Sequence, residues 1–259
     1  MIGYIFAIFV GITLGLIGAG GSILTVPILV YVMKMDAVTA TGYSLFVVGV
    51  TSLIGAGRYF IKKEVDLKTV FLFGVPSIFS AIIVRALIVP GIPLVFFRVG
   101  SFYFTKNIFL LVLFAVIMIL ASINMIKPQA KIQLEKWPGL PLIMITGIVV
   151  GIITGLVGAG GGFMIVPALV LFLNLPMKKA IGTSLLIITL NTLFSFAGGL
   201  SHSFIDWEFL LSFTSLSVVG IFIGFALSSR ISGIKLKPVF GWFILVMGLY
   251  IIIKELFLY

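Results

Sequence analysis

Residues 11–66 of this chain recur as residues 151–206, and the offset of 140 holds without a gap. GITLGLIGAGGSILTVPILV, starting at Gly11, lies over GIITGLVGAGGGFMIVPALV, starting at Gly151, and 18 of the 56 aligned positions are identical. Both copies carry G-x-x-x-G-L-x-G-A-G-G, then V-P-x-L-V, then A-x-G-x-S-L. Apolar composition gives chance matches of Leu and Val, but not glycine over glycine and proline over proline. The chain is an internal duplication, so an architecture proposed for one half must serve the other.

That architecture is helical and membrane-embedded. Of 259 residues, 61% are hydrophobic and only 9% are charged. A soluble helical bundle needs a polar stripe on each helix, and most segments here have none. Each half reads as five apolar segments: 2–17, 23–33, 37–60, 67–89 and 107–126, then 142–157, 163–173, 180–200, 207–228 and 238–257. Pro90, Pro93, Pro128, Pro138 and Pro141 are expected in the gaps, as helix breakers. The organisation is a first transmembrane repeat (1–126), a polar linker (127–140) and a second repeat (141–259). The apolar N-terminus is expected to be a retained membrane segment, since the first cation is Lys34.

The first two segments of each half are too short to span. Roughly 11 residues at about 1.5 Å each cover half of a hydrocarbon core about 30 Å thick. Either the Gly cluster interrupts one long span, or it is the tip of a hairpin whose arms return to one side. Charge counting separates the two. With hairpins, one side collects twelve of the 17 Lys and Arg residues and the other five, whereas with single spans the split is nine to eight. Cations accumulate on the cytoplasmic side, so the hairpin is expected, with both termini outside. Each half then has an odd number of full spans, and the halves insert in opposite orientations as an inverted repeat.

The Gly clusters, Gly18-Ala19-Gly20-Gly21-Ser22 and Gly158-Ala159-Gly160-Gly161-Gly162, each open a short helix. Unpaired N–H groups and the helix dipole make such a start a ready anion site. With hairpins, two such tips enter from opposite faces and can meet near the midplane. Gly11, Gly15, Gly151 and Gly155 fit close helix packing instead. On the third segment, Ser44, Thr51 and Gly55 share a helix face, and Ser184, Asn191 and Ser195 are their counterparts. Asn191 lies deep in an apolar helix, so its amide must bond another helix, water or a substrate. Thr183, opposite Tyr43 in the repeat, is a further candidate.

Other chemistries find no residues here. There is no cysteine. No carboxylate sits within a span except near its ends, and His202 is the only histidine, beside Asp206 and Glu208. The Gly-rich runs lack the Lys-Ser/Thr that completes a nucleotide-binding loop. No acid–base pair, metal set or cofactor motif is legible, which argues against an enzyme. Arg58 and Arg85 lie near span ends, where a long side chain snorkels to the interface.

The doubled G-x-x-x-G-L-x-G-A-G-G-[SG]-x-x-x-V-P, with A-x-G-x-S at 40–44 and 180–184, resembles the TauE/SafE family. These are bacterial and archaeal membrane permeases associated with sulfite export and with transport of sulfonates. The resemblance implies a multi-pass protein of the cell membrane, a secondary transporter of a small sulfur anion, working without cofactor or nucleic acid. The substrate-binding set would be Gly18, Gly20, Gly21, Ser22, Ser44, Thr51, Gly158, Gly160, Gly161, Gly162, Thr183, Ser184 and Asn191. A passive anion channel and a non-transporting scaffold are the alternatives, and a homodimer stays open.

Overall fold

The computed structural model describes residues 2–17, 23–99, 102–126, 139–157, 161–173, 175–199, 205–228 and 233–257. In chain order the first half holds α1 (Ile2–Ile17), α2 (23–32), α3 (Ala37–Ile61), α4 (Leu67–Gly91), a hairpin of β1 (Val95–Val99) and β2 (Phe102–Thr105), and α5 (Lys106–Ile126). The second half holds α6 (Leu140–Val157), α7 (Gly162–Leu173), α8 (Met177–Gly199), α9 (Trp207–Ser228) and α10 (Gly233–Phe257). All ten expected segments are helices; the short helix α2 begins directly after its Gly cluster and α7 begins on the last residue of its own. Among the described residues, six helices are long and apolar enough to cross a membrane.

The outer faces are apolar. On α4, Phe71, Val75, Phe79, Ile83 and Leu87 recur every fourth residue and all are exposed, while Phe73, Ser77, Ala81 and Val84 face inward. An exposed stripe of that composition belongs against lipid acyl chains, not water.

The arms of the first short pair return to one side. Gly3, at the start of α1, lies against Met33, just past the end of α2. Thirty residues of continuous helix would have set them about 45 Å apart. The hairpin reading of this pair is therefore correct.

The halves pack by exchanging partners. Helix α1 lies on α9, and α6, its repeat equivalent, lies on α4; α3 lies on α8, and α5 on α10. The repeat offset carries through to single contacts. A side chain at Gly11 would strike the Ser217 carbonyl, and one at Gly151 the Ser77 carbonyl. One at Gly15 would meet Ile221 O, at 2.5 Å, and one at Gly155 would meet Ala81 O, at 2.8 Å. The expected close packing at these four glycines is what the structure shows: backbones approach where a Cβ would not fit. Polar ties follow the same rule. The Asp206 N–H donates to Tyr43 Oη (2.6 Å), and the Asp66 N–H to Thr183 Oγ1 (2.9 Å). Asp66 and Asp206 each cap the helix that follows, so both caps are held by the opposite half.

Three local features differ from expectation. Pro90 lies in the last turn of α4 and Pro141 in the first turn of α6, not in gaps, and α10 starts ahead of Pro238. Helix α4 carries π turns at Val70–Gly74 and Val84–Ile88, just ahead of Pro76 and Pro90. A widened turn relieves the clash between a proline ring and the carbonyl four residues back, so the helix bends instead of ending. The gap after α4 holds an antiparallel β-hairpin, with Phe97 stacked on Phe104 and Arg98 over the Tyr103 ring.

Candidate functional site

The deepest polar groups lie where α3 crosses α8. Phe46 meets Phe196, Gly49 meets Leu193 and Thr192, and Gly55 meets Leu185. Contact positions rise on one helix as they fall on the other, so α3 and α8 run antiparallel. Gly49 is the central residue of α3 (Ala37–Ile61), so the crossing lies at mid-length of that candidate span. Glycine there lets Leu193 sit where a Cβ would be, at 2.6 Å.

Around this crossing Ser44, Thr51, Ser52, Thr183, Ser184, Thr189, Asn191, Thr192 and Ser195 are all buried. A hydroxyl inside a membrane protein is most cheaply satisfied by its own helix. Thr51 donates to Val47 O (2.6 Å), Thr189 to Leu185 O (2.8 Å), Thr192 to Ile188 O (2.7 Å) and Ser184 to Ile181 O (2.8 Å). Among the described residues, the hydroxyls of Ser44, Ser52 and Ser195 have no hydrogen-bond partner.

Asn191 is bound on one side only. Its Nδ2 donates to Ser77 Oγ at 2.6 Å, across to α4, while its Oδ1 has no partner. Exchanging the two ends of the isosteric amide leaves Nδ2 free and Ser77 donating to Oδ1. In either orientation one end of a fully buried amide has no hydrogen-bond partner among the described residues. Its repeat counterpart Thr51 bonds its own helix, and Ser217, the counterpart of Ser77, donates to Phe213 O (3.0 Å). The asymmetry between halves read from the sequence is thus an interhelical amide bond in one half and two intrahelical hydroxyl bonds in the other.

The remaining candidates divide. Thr183 is used in holding the Asp66 cap. Gly161 adopts φ +63, its carbonyl accepts from Ile165 N at the start of α7, and a Cβ there would collide with Thr154. A glycine is required at 161 by backbone geometry, whatever binds nearby. Gly162 is the first residue of α7. Gly18, Gly20, Gly21, Ser22, Gly158 and Gly160 lie outside the described residues.

Arg85 departs from the expectation of snorkelling. It is 5% exposed, inside the π turn of α4. Its Nη1 donates to Thr41 Oγ1 (2.9 Å) and its Nη2 to Val38 O (3.1 Å), both on α3. Gly42 and Gly199 make the room, since a Cβ at either would stand 2.8 and 3.2 Å from the guanidinium. A small cavity of about 20 Å3, room for roughly one water, adjoins the group and is lined by Thr39, Gly42, Tyr43, Arg85, Phe196, Gly199 and Ile205. Arg58 is half-buried, with its guanidinium 4.5 Å above the Phe225 ring. Ser77, Gly42 and Gly199 were not singled out from sequence. Only the A-x-G-x-S motif, which contains Gly42, pointed towards any of them.

An apolar exterior around hydroxyl and amide groups held deep between two interlocked halves defines a multi-pass helical protein of the cell membrane. The sequence model of the sulfite exporter TauE/SafE family matches residues 4–251. The chain belongs to that family. It is 28% identical over 251 residues to a probable membrane transporter protein of Xylella fastidiosa, covering 94% of this chain and 91% of that one. It is also 28% identical to the probable membrane transporter protein YjnA of Bacillus subtilis, with 95% and 96% covered. To the probable membrane transporter protein MJ0441 of Methanocaldococcus jannaschii it is 25% identical, with 94% and 92% covered. No solved structure matches the chain.

Proposed function

We propose that the protein is a secondary transporter that carries a small sulfur oxyanion, sulfite or an organosulfonate, out of the cell. The observation that carries this reading is the set of unpartnered buried groups at the α3–α8 crossing. Among the described residues, Ser44, Ser52, Ser195 and one end of Asn191 have no partner deep within the helix pair, where an unsatisfied polar group is costly. The family and the printed names of the relatives support a membrane transporter.

The anion would sit between the glycine tips and this crossing. Backbone N–H groups at Gly20, Gly21, Gly160 and Gly161 would face its charge, with Ser22, Ser44 and Asn191 completing the shell. Thr51 and Ser184 already donate to their own helices, so they are weaker ligands than the sequence suggested. The antiparallel run of α3 against its own repeat α8 supports insertion of the two halves in opposite orientations. Alternating access would then be a rocking of one half on the other. An inside-negative potential drives an anion outward by about 2.3 kcal/mol per charge per 100 mV, so export needs no nucleotide-binding domain.

A channel would use the same residues, and counterflow separates the two. Liposomes preloaded with unlabelled sulfite should transiently concentrate labelled sulfite if the protein is a carrier. Entry that only equilibrates would replace the carrier with a channel.

A further inference from the structure

Arg85 is a charged group in a place where charge is expensive, and the protein satisfies it only in part. A guanidinium has five N–H donors. Two are used, on Thr41 Oγ1 and Val38 O. Among the described residues no carboxylate is in ion-pair contact with it. Asp36 is within electrostatic reach, but its Oδ1 accepts from the N–H groups of Val38 and Thr39 at the start of α3. Lys106, 8% exposed at the start of α5, adds a second positive charge to the neighbourhood. Burying an arginine that lacks a counter-ion is destabilising unless something else meets its remaining donors.

A small cavity adjoins the guanidinium. Gly42 and Gly199 lie against the guanidinium, and Thr39 and Tyr43 add polar atoms to a pocket otherwise walled by Phe196 and Ile205. The repeat gives an internal comparison. The position 140 residues after Arg85 is Phe225, and the one after Gly42 is Gly182. Gly182 is packed against Glu64 O and Tyr59, so the equivalent space in the other half is filled by protein. Among the described residues the pocket beside Arg85 lies at the end where α3 begins and α4 ends, whereas in the other half Phe225 stands at the equivalent position and carries Arg58 over its ring.

We propose that this pocket is an anion-docking site at one mouth of the transport path, where Arg85 admits small oxyanions of the sulfite and sulfate type. The inference rests on the reading of the chain as an anion carrier. A planar fork of N–H donors matches an oxyanion edge and discriminates against halides, which offer a single point of charge. Under the charge distribution read from the sequence, this is the extracellular mouth, where an exported anion leaves.

The chain has no cysteine, so a single Thr39→Cys replacement gives a unique reporter on the pocket lip. The full-length purified protein is treated with an anionic and with a cationic methanethiosulfonate, and the rates are compared with those at Lys63→Cys. A positive pocket should favour the anionic reagent by at least about tenfold relative to the control site. Sulfate, which is inert to the reagent, should slow the reaction more than chloride at equal ionic strength. Arg85→Gln should abolish the preference and the protection; Arg85→Lys, the fallback if the glutamine variant misfolds, should retain the preference and lose the distinction between sulfate and chloride. Equal rates for both reagents, or sulfate protection that survives Arg85→Gln, overturn the proposal. So does full sulfate selectivity in Arg85→Lys. Saturable sulfite flux with no effect of Arg85 removes the docking site and leaves the carrier. Arg85-dependent protection without flux keeps the anion site and removes the carrier.

Discussion

Asn191→Thr separates a structural amide from a substrate ligand, because the repeat already contains the outcome of the substitution. Position 51 is the threonine equivalent, and its hydroxyl donates to Val47 O at 2.6 Å. A threonine at 191 can likewise donate to the carbonyl of Ile187. Ser77, deprived of the amide, can donate to Phe73 O as Ser217 does to Phe213 O at 3.0 Å. Both members of the pair are then satisfied, and the unpartnered Oδ1 is gone. The structural loss is one interhelical bond, which in membrane proteins averages about 0.6 kcal/mol and reaches about 1.7 at most. A hydrogen bond to a charged ligand contributes more, about 1.5–3 kcal/mol, so losing it weakens anion affinity by roughly 10- to 150-fold. Unfolding in mixed micelles should show a stability loss of no more than about 1.7 kcal/mol. Counterflow should show an apparent affinity for sulfite at least about tenfold weaker. A stability loss beyond about 3 kcal/mol with unchanged affinity would make Asn191 a packing element and refute the argument.

Further expectations are as direct. Gly151→Val forces a side chain onto the Ser77 backbone and should destabilise the protein by about 1–3 kcal/mol or more, while Gly57→Ala, with nothing within 4 Å, should cause no loss. Thermal unfolding in detergent compares the two. Tyr43→Phe and Thr183→Val each remove the acceptor of one helix-start N–H, at about 1 kcal/mol apiece. Their double variant should be additive within about 0.5 kcal/mol, since the two ties hold different helix starts and share no partner. Cysteines placed at Lys34 and Lys63, at the two ends of the 25-residue α3, should label from opposite sides of the membrane. Labelling of both from one side would defeat the topology.

The helices were legible because apolar runs, Gly clusters and a repeat of five segments are local signals. Even the starts of α1, α3, α4 and α9 fall at the expected residues, where Asp36, Asp66 and Asp206 supply caps ahead of the last three. Partner choice was not legible. That α1 lies on α9 while α6 lies on α4 depends on which glycine faces meet, and nothing in a single helix states its neighbour. Pro90 misled because a π turn lets a helix pass through a proline. Arg85 was misplaced for a related reason. Its position near a span end is the same for a snorkelling and a buried side chain, and the glycines that admit it are on other helices. In the candidate site, Asn191 stood out as a lone amide in an apolar run, whereas Ser77 became visible only when α4 was folded against α8.

The most direct measurement is sulfite efflux from liposomes containing the purified protein, under an imposed potential, against sulfate, a sulfonate and chloride. The account predicts saturable, protein-dependent movement of one sulfur oxyanion, faster towards the positive side and much slower for chloride. Folded protein that moves none of the four anions above the rate of empty liposomes would contradict it.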